Sequence, residues 1–370
     1  MLRLLLVFGT RPEAIKFAPL ILLLKEQSWV HLITCVTAQH RQMLDQVLAW
    51  FGIVPDYDLN LMQPEQSLPQ FSSRVLQEVD RVISLEKPDF VLVQGDTTSA
   101  LAAAWAAFYR RIPVGHLEAG LRTDDLQSPF PEEANRRVIT VLSTLHFAPT
   151  AAACDRLLRE GIPAENVHMT GNTVIDALQW TIKRAPKLSL DIPLDRPGER
   201  LILVTAHRRE SFGKEFENIC HALLEITRRN PDVRLIYPVH LNPNVREPVF
   251  RLLANHARIH LIEPLPYPDL IALLDRVYFV LTDSGGMQEE APALGKPVLV
   301  MRQKTERPEA IEAGTARLVG TSIEAITAGA QTLLDHPDQY QAMARVKNPF
   351  GDGTASEQIA AILRKYDKQP

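Results

Sequence analysis

Leu4-Leu5-Leu6-Val7-Phe8-Gly9-Thr10-Arg11-Pro12-Glu13 is a short apolar run, a glycine turn and a helix start in immediate succession. The run is too short for a signal-peptide core and no small-residue cleavage site follows, so it reads as a first buried strand. Pro12 suits the first helical turn, where its missing N–H costs nothing, and Glu13 beside it favours the positive end of the helix dipole. An apolar strand without polar alternation is buried on both faces, the habit of parallel sheets covered by helices.

The same sentence repeats outward from this stretch. Apolar runs predict strands over 4–8, 32–37, 90–94, 112–117 and 167–169, with helical periods over 12–27, 41–51, 68–85, 99–109 and 132–142 between them. Pro186, Pro193 and Pro197-Gly198 then interrupt regular structure across 184–200, at or just after an inter-domain connection. The alternation restarts with strands over 201–205, 233–239, 259–262, 277–282 and 297–301, and helices near 215–229, 245–255, 270–274 and 288–294. The expectation is an α/β chain of two doubly wound domains, 1–172 and 173–353. A last helix within 354–370 could join either domain, and its return onto the first is the expected course. In such sheets ligands bind beyond the carboxyl ends of the strands, so a ligand shared by two domains belongs in the cleft between them. Arg11-Pro12-Glu13-Ala14-Ile15 recurs as Arg307-Pro308-Glu309-Ala310-Ile311. A common helix start explains that echo as well as duplication does.

At 370 residues, with 46% apolar and 23% charged residues, the chain is neither disordered nor fibrous. Forty basic against 44 acidic residues leave −4, a balance that offers no general field to nucleic acid or an anionic membrane. No apolar stretch reaches the 18 residues of a membrane span. Three widely spaced cysteines, Cys35, Cys154 and Cys220, fit a reducing cytoplasm without structural disulfides.

The turn after the first strand is not G-x-G-x-x-G, and G-x-x-x-x-G-K-[ST], HExxH and G-x-S-x-G are all missing. Neither a metal nor a nicotinamide cofactor is implied. What stands at the strand ends is acidic and cationic. Gly95-Asp96-Thr97-Thr98 places Asp96 where it could cap a helix or handle a proton. His116-Leu117-Glu118-Ala119-Gly120-Leu121-Arg122 sets an acid between a His and an Arg. Pro131-Glu132-Glu133-Ala134-Asn135-Arg136 puts acids in a first helical turn, where the dipole alone would favour them. Three carboxylates at one sheet edge can perturb one another into separate acid and base roles. Farther on, Thr282-Asp283-Ser284-Gly285-Gly286-Met287-Gln288-Glu289-Glu290 is a strand, a small-residue turn and a helix N-terminus suited to a phosphate. Glu290 there is either a ribose contact or a surface residue. Thr205-Ala206-His207-Arg208-Arg209-Glu210-Ser211 is a diphosphate contact or a solvated basic turn.

These segments, with Gly9-Thr10-Arg11-Pro12-Glu13-Ala14-Ile15-Lys16 and Thr170-Gly171-Asn172-Thr173, resemble the non-hydrolysing UDP-N-acetylglucosamine 2-epimerases over essentially the whole chain. The resemblance implies the GT-B architecture, two Rossmann-like domains with the active site in the interdomain cleft. It also implies a cytoplasmic homodimer that interconverts UDP-GlcNAc and UDP-ManNAc without a cofactor, commonly for bacterial surface polysaccharides. Asp96, Glu118 and Glu132 match the family's catalytic acids, and Arg11 and His207 match groups at the diphosphate. Lys16 and Arg208 add positive charge, while Ser284, Gly285, Gly286 and Glu290 match the UDP-holding turn. Gln39, Gln42 and His240 match segments where bacterial members bind a second UDP-GlcNAc as allosteric activator.

Two positions depart from the pattern: Gln94 stands where many members have His, so no proton relay can run through it, and Ala206 where many have Gly. The rival readings are a hydrolysing epimerase that releases ManNAc and UDP, a GT-B glycosyltransferase and a sugar-nucleotide sensor. The animal hydrolysing form carries a sugar kinase for which these residues leave no room. Three acids exceed the single base that transfer to an acceptor needs.

Overall fold

The computed structural model describes residues 1–38, 41–63, 65–184, 188 and 196–367. It divides into two compact units, Met1–Trp180 with Phe350–Pro370, and Thr181–Pro349. The helix Thr173–Ile182 therefore lies almost wholly in the first unit.

In the first unit, β1 (Leu2–Phe8), β2 (Val30–Val36), β3 (Tyr57–Asp58), β4 (Phe90–Gln94), β5 (Val114–Leu117), β6 (Leu145–Ala148) and β7 (Val167–Met169) form one parallel sheet. Its order is β3-β2-β1-β4-β5-β6-β7. In the second, β8 (Arg200–Thr205), β9 (Val233–Pro238), β10 (Ile259–Ile262), β11 (Phe279–Thr282), β12 (Val298–Val300) and β13 (Ala316–Leu318) run β10-β9-β8-β11-β12-β13, again all parallel. This is the α/β class of two doubly wound sheets that the apolar runs predict. In each sheet the strand order reverses beside the first strand, between β1 and β4 and between β8 and β11, and such switch points are where open α/β sheets bind ligands.

The central strands are apolar because helices cover both faces. Leu4 to Phe8 and Phe90 to Val93 are fully buried or nearly so, as are Ile202 to Val204 and Phe279 to Leu281. At the end of β1, Gly9 has no room for a side chain: a Cβ there would lie 2.0 Å from Thr37 Oγ1 and 2.7 Å from Ser99 Oγ. The helix Arg11–Lys25 then starts with Pro in its first turn, and Glu13 accepts from the Gly9 and Thr10 amides at 3.0 and 2.8 Å. Thr97 Oγ1 donates to the other Glu13 oxygen at 2.6 Å, so this buried acid, with its pKa pushed up by burial, ties the turn after β1 to the turn after β4. The echo at 307–311 is likewise a helix start, with Pro308 in the first turn of Pro308–Ala313.

The last helix, Ala355–Leu363, belongs to the first unit. Buried Asp176 accepts the Ser356 amide at 2.7 Å and the Ala355 amide at 3.3 Å, satisfying donors that a helix start leaves open. Tyr366 packs edge-on against Phe90. The three cysteines are free, and among the described residues no helix is long and apolar enough to cross a membrane.

Candidate active site

In the first unit the predicted acids stand at the carboxyl ends of β4 and β5 and at the start of the neighbouring helix. Asp96 is not a cap: Thr97 caps the helix Thr98–Tyr109, accepting the Ala100 amide at 3.0 Å. The Asp96 carboxylate is instead gripped by Arg136, through Nε at 3.1 Å and through Nη2, and Asn135 Nδ2 donates to its carbonyl at 2.9 Å. Both partners lie on the helix Glu132–Leu142, which brings half-buried Glu132, on its first residue, to the same edge. Arg136 also contacts fully buried Glu133, whose Oε2 accepts the Thr123 amide at 3.0 Å.

Glu118 follows β5 with φ +64, a conformation that costs a non-glycine residue roughly 1 kcal/mol and that is held by its surroundings. Its Oε2 accepts from Lys16 Nζ and from Gln94 Nε2, both at 2.5 Å, and its Oε1 from Asn172 Nδ2 at 3.2 Å. The space behind it, lined by Gln94, Phe147, Asn172 and Ile359, is too small to admit water. Lys16 thus faces an acid and is largely withdrawn from solvent. Glycine at 95, with φ +69, lets that turn pass within contact of Glu118. His116 is buried and donates from Nε2 to the Gly95 carbonyl at 2.7 Å; burial above all pushes its pKa down to about 3, so it is a neutral post and no proton carrier near pH 7. Arg11 is half-buried at the first residue of its helix.

The second unit builds a different cluster at the ends of β8 and β11. Fully buried Asp283 accepts the His207 and Arg208 amides at 2.6 and 2.7 Å, which fixes the turn after β8 against the turn after β11. That turn is therefore a constrained loop, with His207 and Arg208 half-buried and Arg209 exposed on it. Burial lowers the His207 pKa, against the pull of Asp283 with Nδ1 3.6 Å from Oδ1, and the ring stacks on His240 at 5.3 Å. The Ser284 amide donates to Thr282 Oγ1 at 2.8 Å. Gly285 and Gly286 then lead into the helix Met287–Ala293. Positions for a Cβ on these glycines lie 3.6 Å from Arg208 Nη2 and 3.5 Å from Glu290 Oε2 respectively, so a guanidinium and a carboxylate flank the bare turn. Glu289 and Glu290 are both buried, which rules out the surface reading of Glu290. Glu289 is taken by Arg307 Nε.

Lys16, Asp96, Glu118 and Glu132 are thus gathered on the first unit, and His207, Arg208, Ser284, Gly285, Gly286, Glu290 and His240 on the second. Gln39 and the side chain of Gln42 lie outside the described residues. Sequence reasoning passed over Arg136, Asn172 and Asp283, the groups that orient Asp96, Glu118 and the His207 turn. Asn172 and Arg136 lay inside quoted motifs, but nothing local says which distant acid each would meet.

Both the sequence and the fold match known proteins. The family model described as UDP-N-acetylglucosamine 2-epimerase matches residues 23–364. A probable UDP-N-acetylglucosamine 2-epimerase from Ralstonia nicotianae is 56% identical, over 99% of this chain and 100% of that protein. The UDP-N-acetylglucosamine 2-epimerase of Salmonella typhimurium is 53% identical, over 99% of both. The crystal structure of the Neisseria meningitidis UDP-GlcNAc 2-epimerase bound to UDP-GlcNAc superposes with a TM-score of 0.94 at 48% identity, covering 98% of this chain and 100% of that one. With a whole-length match in sequence and in fold, the chain belongs to the UDP-N-acetylglucosamine 2-epimerase family.

Proposed function

We propose that the protein interconverts UDP-GlcNAc and UDP-ManNAc, inverting C-2 of the sugar without hydrolysing the nucleotide. The epimerase activity follows from family membership. The carboxylate cluster of the first unit carries the finer reading: Asp96 and Glu118 are each oriented by dedicated partners, beside Glu132.

The chemistry demands such groups. C-2 bears an acetamido substituent and no adjacent carbonyl, so its proton is barely acidic and cannot be lost on its own. Breaking the C-1–O bond expels UDP, the pair from the C-2–H bond forms the C-1=C-2 double bond, and a carboxylate takes the proton. The product pair is a 2-acetamidoglucal and UDP. Re-addition of the UDP oxygen to C-1, with a proton delivered to the opposite face of C-2, completes the inversion. Proton transfers of this kind are the work of positioned carboxyl groups. Negative charge growing on the leaving diphosphate is met by Arg11, His207, Arg208 and the glycine turn at Gly285 and Gly286, with Glu290 accepting from ribose hydroxyls. No assignment of base and acid among Asp96, Glu118 and Glu132 is needed for this account.

The exposed apolar side chains Trp105, Phe108, Tyr109, Val138 and Val141, on two packed helices of the first unit, support a homodimer through this face. Light scattering on the purified protein tests it, a monomer mass counting against it. His240, stacked on His207, supports an activator role for a second UDP-GlcNAc with Gln39 and Gln42. UDP-ManNAc converted as fast without added UDP-GlcNAc as with it would refute that role.

The deciding experiment for the function is product analysis after incubation with UDP-GlcNAc alone. UDP-ManNAc at equilibrium with substrate is expected. Free ManNAc with stoichiometric UDP would replace this reading by the hydrolysing one, and binding without turnover by the sensor.

A further inference from the structure

The second unit carries a separate cavity at the opposite end of its sheet, where the strands begin. It has a volume of about 510 Å³ and is lined by Arg196, Arg200, Arg276 and Lys296, with Glu199 as the one carboxylate. That size suits a small ligand. Arg200 heads β8 while Thr205 ends it, so the cavity lies about 16 Å, the length of the strand, from the His207 turn.

Its charges are unevenly answered. Arg200 is held by Asp232 at 2.6 Å and by the Leu334 carbonyl at 2.6 Å, and its guanidinium lies 5.7 Å from the centre of the Tyr278 ring. Tyr278 in turn stacks flat on Tyr340, with centroids 4.2 Å apart, and the Tyr340 hydroxyl donates to the Tyr278 carbonyl at 2.9 Å. These contacts make a rigid wall. Among the described residues Arg196 pairs loosely with Glu199, at 3.7 Å, and Glu199 also serves Arg234. Lys296 is half-buried; its amide donates to the Ala291 carbonyl at 3.0 Å, and its ammonium makes no hydrogen bond or ion pair among the described residues. Burial pushes its pKa down, partly opposed by the charge of Asp275. The lining thus sets four cationic side chains against one carboxylate on a fixed wall, an excess that a multiply charged anion would answer.

We infer that this cavity is a second anion site that takes a phosphate or diphosphate group through Lys296 and Arg196, distinct from the cluster at the carboxyl ends of the strands. The inference stands whether or not the epimerase mechanism does.

The test is a site-resolved titration. Reductive 13C-methylation keeps lysines charged and makes each visible by NMR, and Lys296→Arg identifies the Lys296 signal by its loss. Inorganic pyrophosphate at constant ionic strength is expected to move that signal saturably in the millimolar range, and Arg196→Glu, an exposed and tolerant position, to weaken the effect at least tenfold. A matching shift with UMP assigns a phosphoryl group carried on an organic body; a shift with pyrophosphate alone assigns a free diphosphate. A signal unmoved by both, or one that moves equally with chloride or equally in Arg196→Glu, overturns the site.

Discussion

Replacing Gln94 by Leu removes a single hydrogen bond from the group on which the proposed chemistry leans most. In the wild type the amide donates to Glu118 Oε2 at 2.5 Å, and Gln94 itself is 2% exposed. Hydrogen bonds to a charged partner contribute roughly 1.5–3 kcal/mol. Lys16 still holds Oε2 and Asn172 still holds Oε1, so the carboxylate is not orphaned and the lower half of that range applies to folding. Leu fills nearly the same volume, which limits any cavity cost. For catalysis, about 1.4 kcal/mol is tenfold in rate, so a Glu118 carboxylate that has lost its third anchor should cost between about 10-fold and 100-fold in kcat. KM should change little, because Gln94 is behind Glu118 and not in the diphosphate cluster. The assay pairs NMR-monitored turnover of UDP-GlcNAc with urea unfolding of the same preparation. A variant that loses the expected stability yet keeps kcat within twofold would refute the argument that this clamp positions a proton-transferring Glu118.

Three further outcomes follow from the same contacts. Asp176→Ala removes the acceptor of two helix-start amides, so it should cost about 1–2 kcal/mol in urea unfolding and raise hydrogen exchange over Ala355–Leu363 before the rest of the unit. His116 has a folded pKa near 3 and His146 near 4, both below the unfolded value of 6.5, so the unfolded chain binds more protons and this stability, full above pH 6.5, is lost as pH falls through that window. His116→Gln should remove up to about 1.4 kcal/mol per pH unit from the acid slope, and an unchanged slope would show that His116 titrates normally. At the second cluster, burial keeps His207 below its ordinary pKa, and a bound diphosphate favours the protonated ring. UDP affinity should therefore weaken as pH rises from 6 to 8, by calorimetry, and His207→Asn should flatten that dependence.

The architecture was legible because the central strands are buried on both faces and leave uninterrupted apolar runs. The strands that escaped are those whose existence depends on pairing and not on composition. Tyr57–Asp58 is two residues at an edge, Ala316–Leu318 is three, and Leu145–Ala148 carries His146 in its middle while filling the gap between β5 and β7. At the site, residue type and spacing identified the acids but not their surroundings. Whether Asp96 or its neighbour Thr97 caps the helix is decided by which side chain turns inward, and Arg136 settles it from 40 residues away. Glu290 could be placed on the surface by sequence because burial of two adjacent glutamates is unusual. It becomes understandable only once Arg307 is seen to answer Glu289.

The central claim, that C-2 loses its proton while UDP departs, is tested most directly by running the reaction in D2O and following the sugar protons by NMR. The account predicts UDP-ManNAc carrying deuterium at C-2, with deuterium also entering the recovered UDP-GlcNAc and no free ManNAc. UDP-ManNAc formed with its C-2 proton fully retained would contradict it.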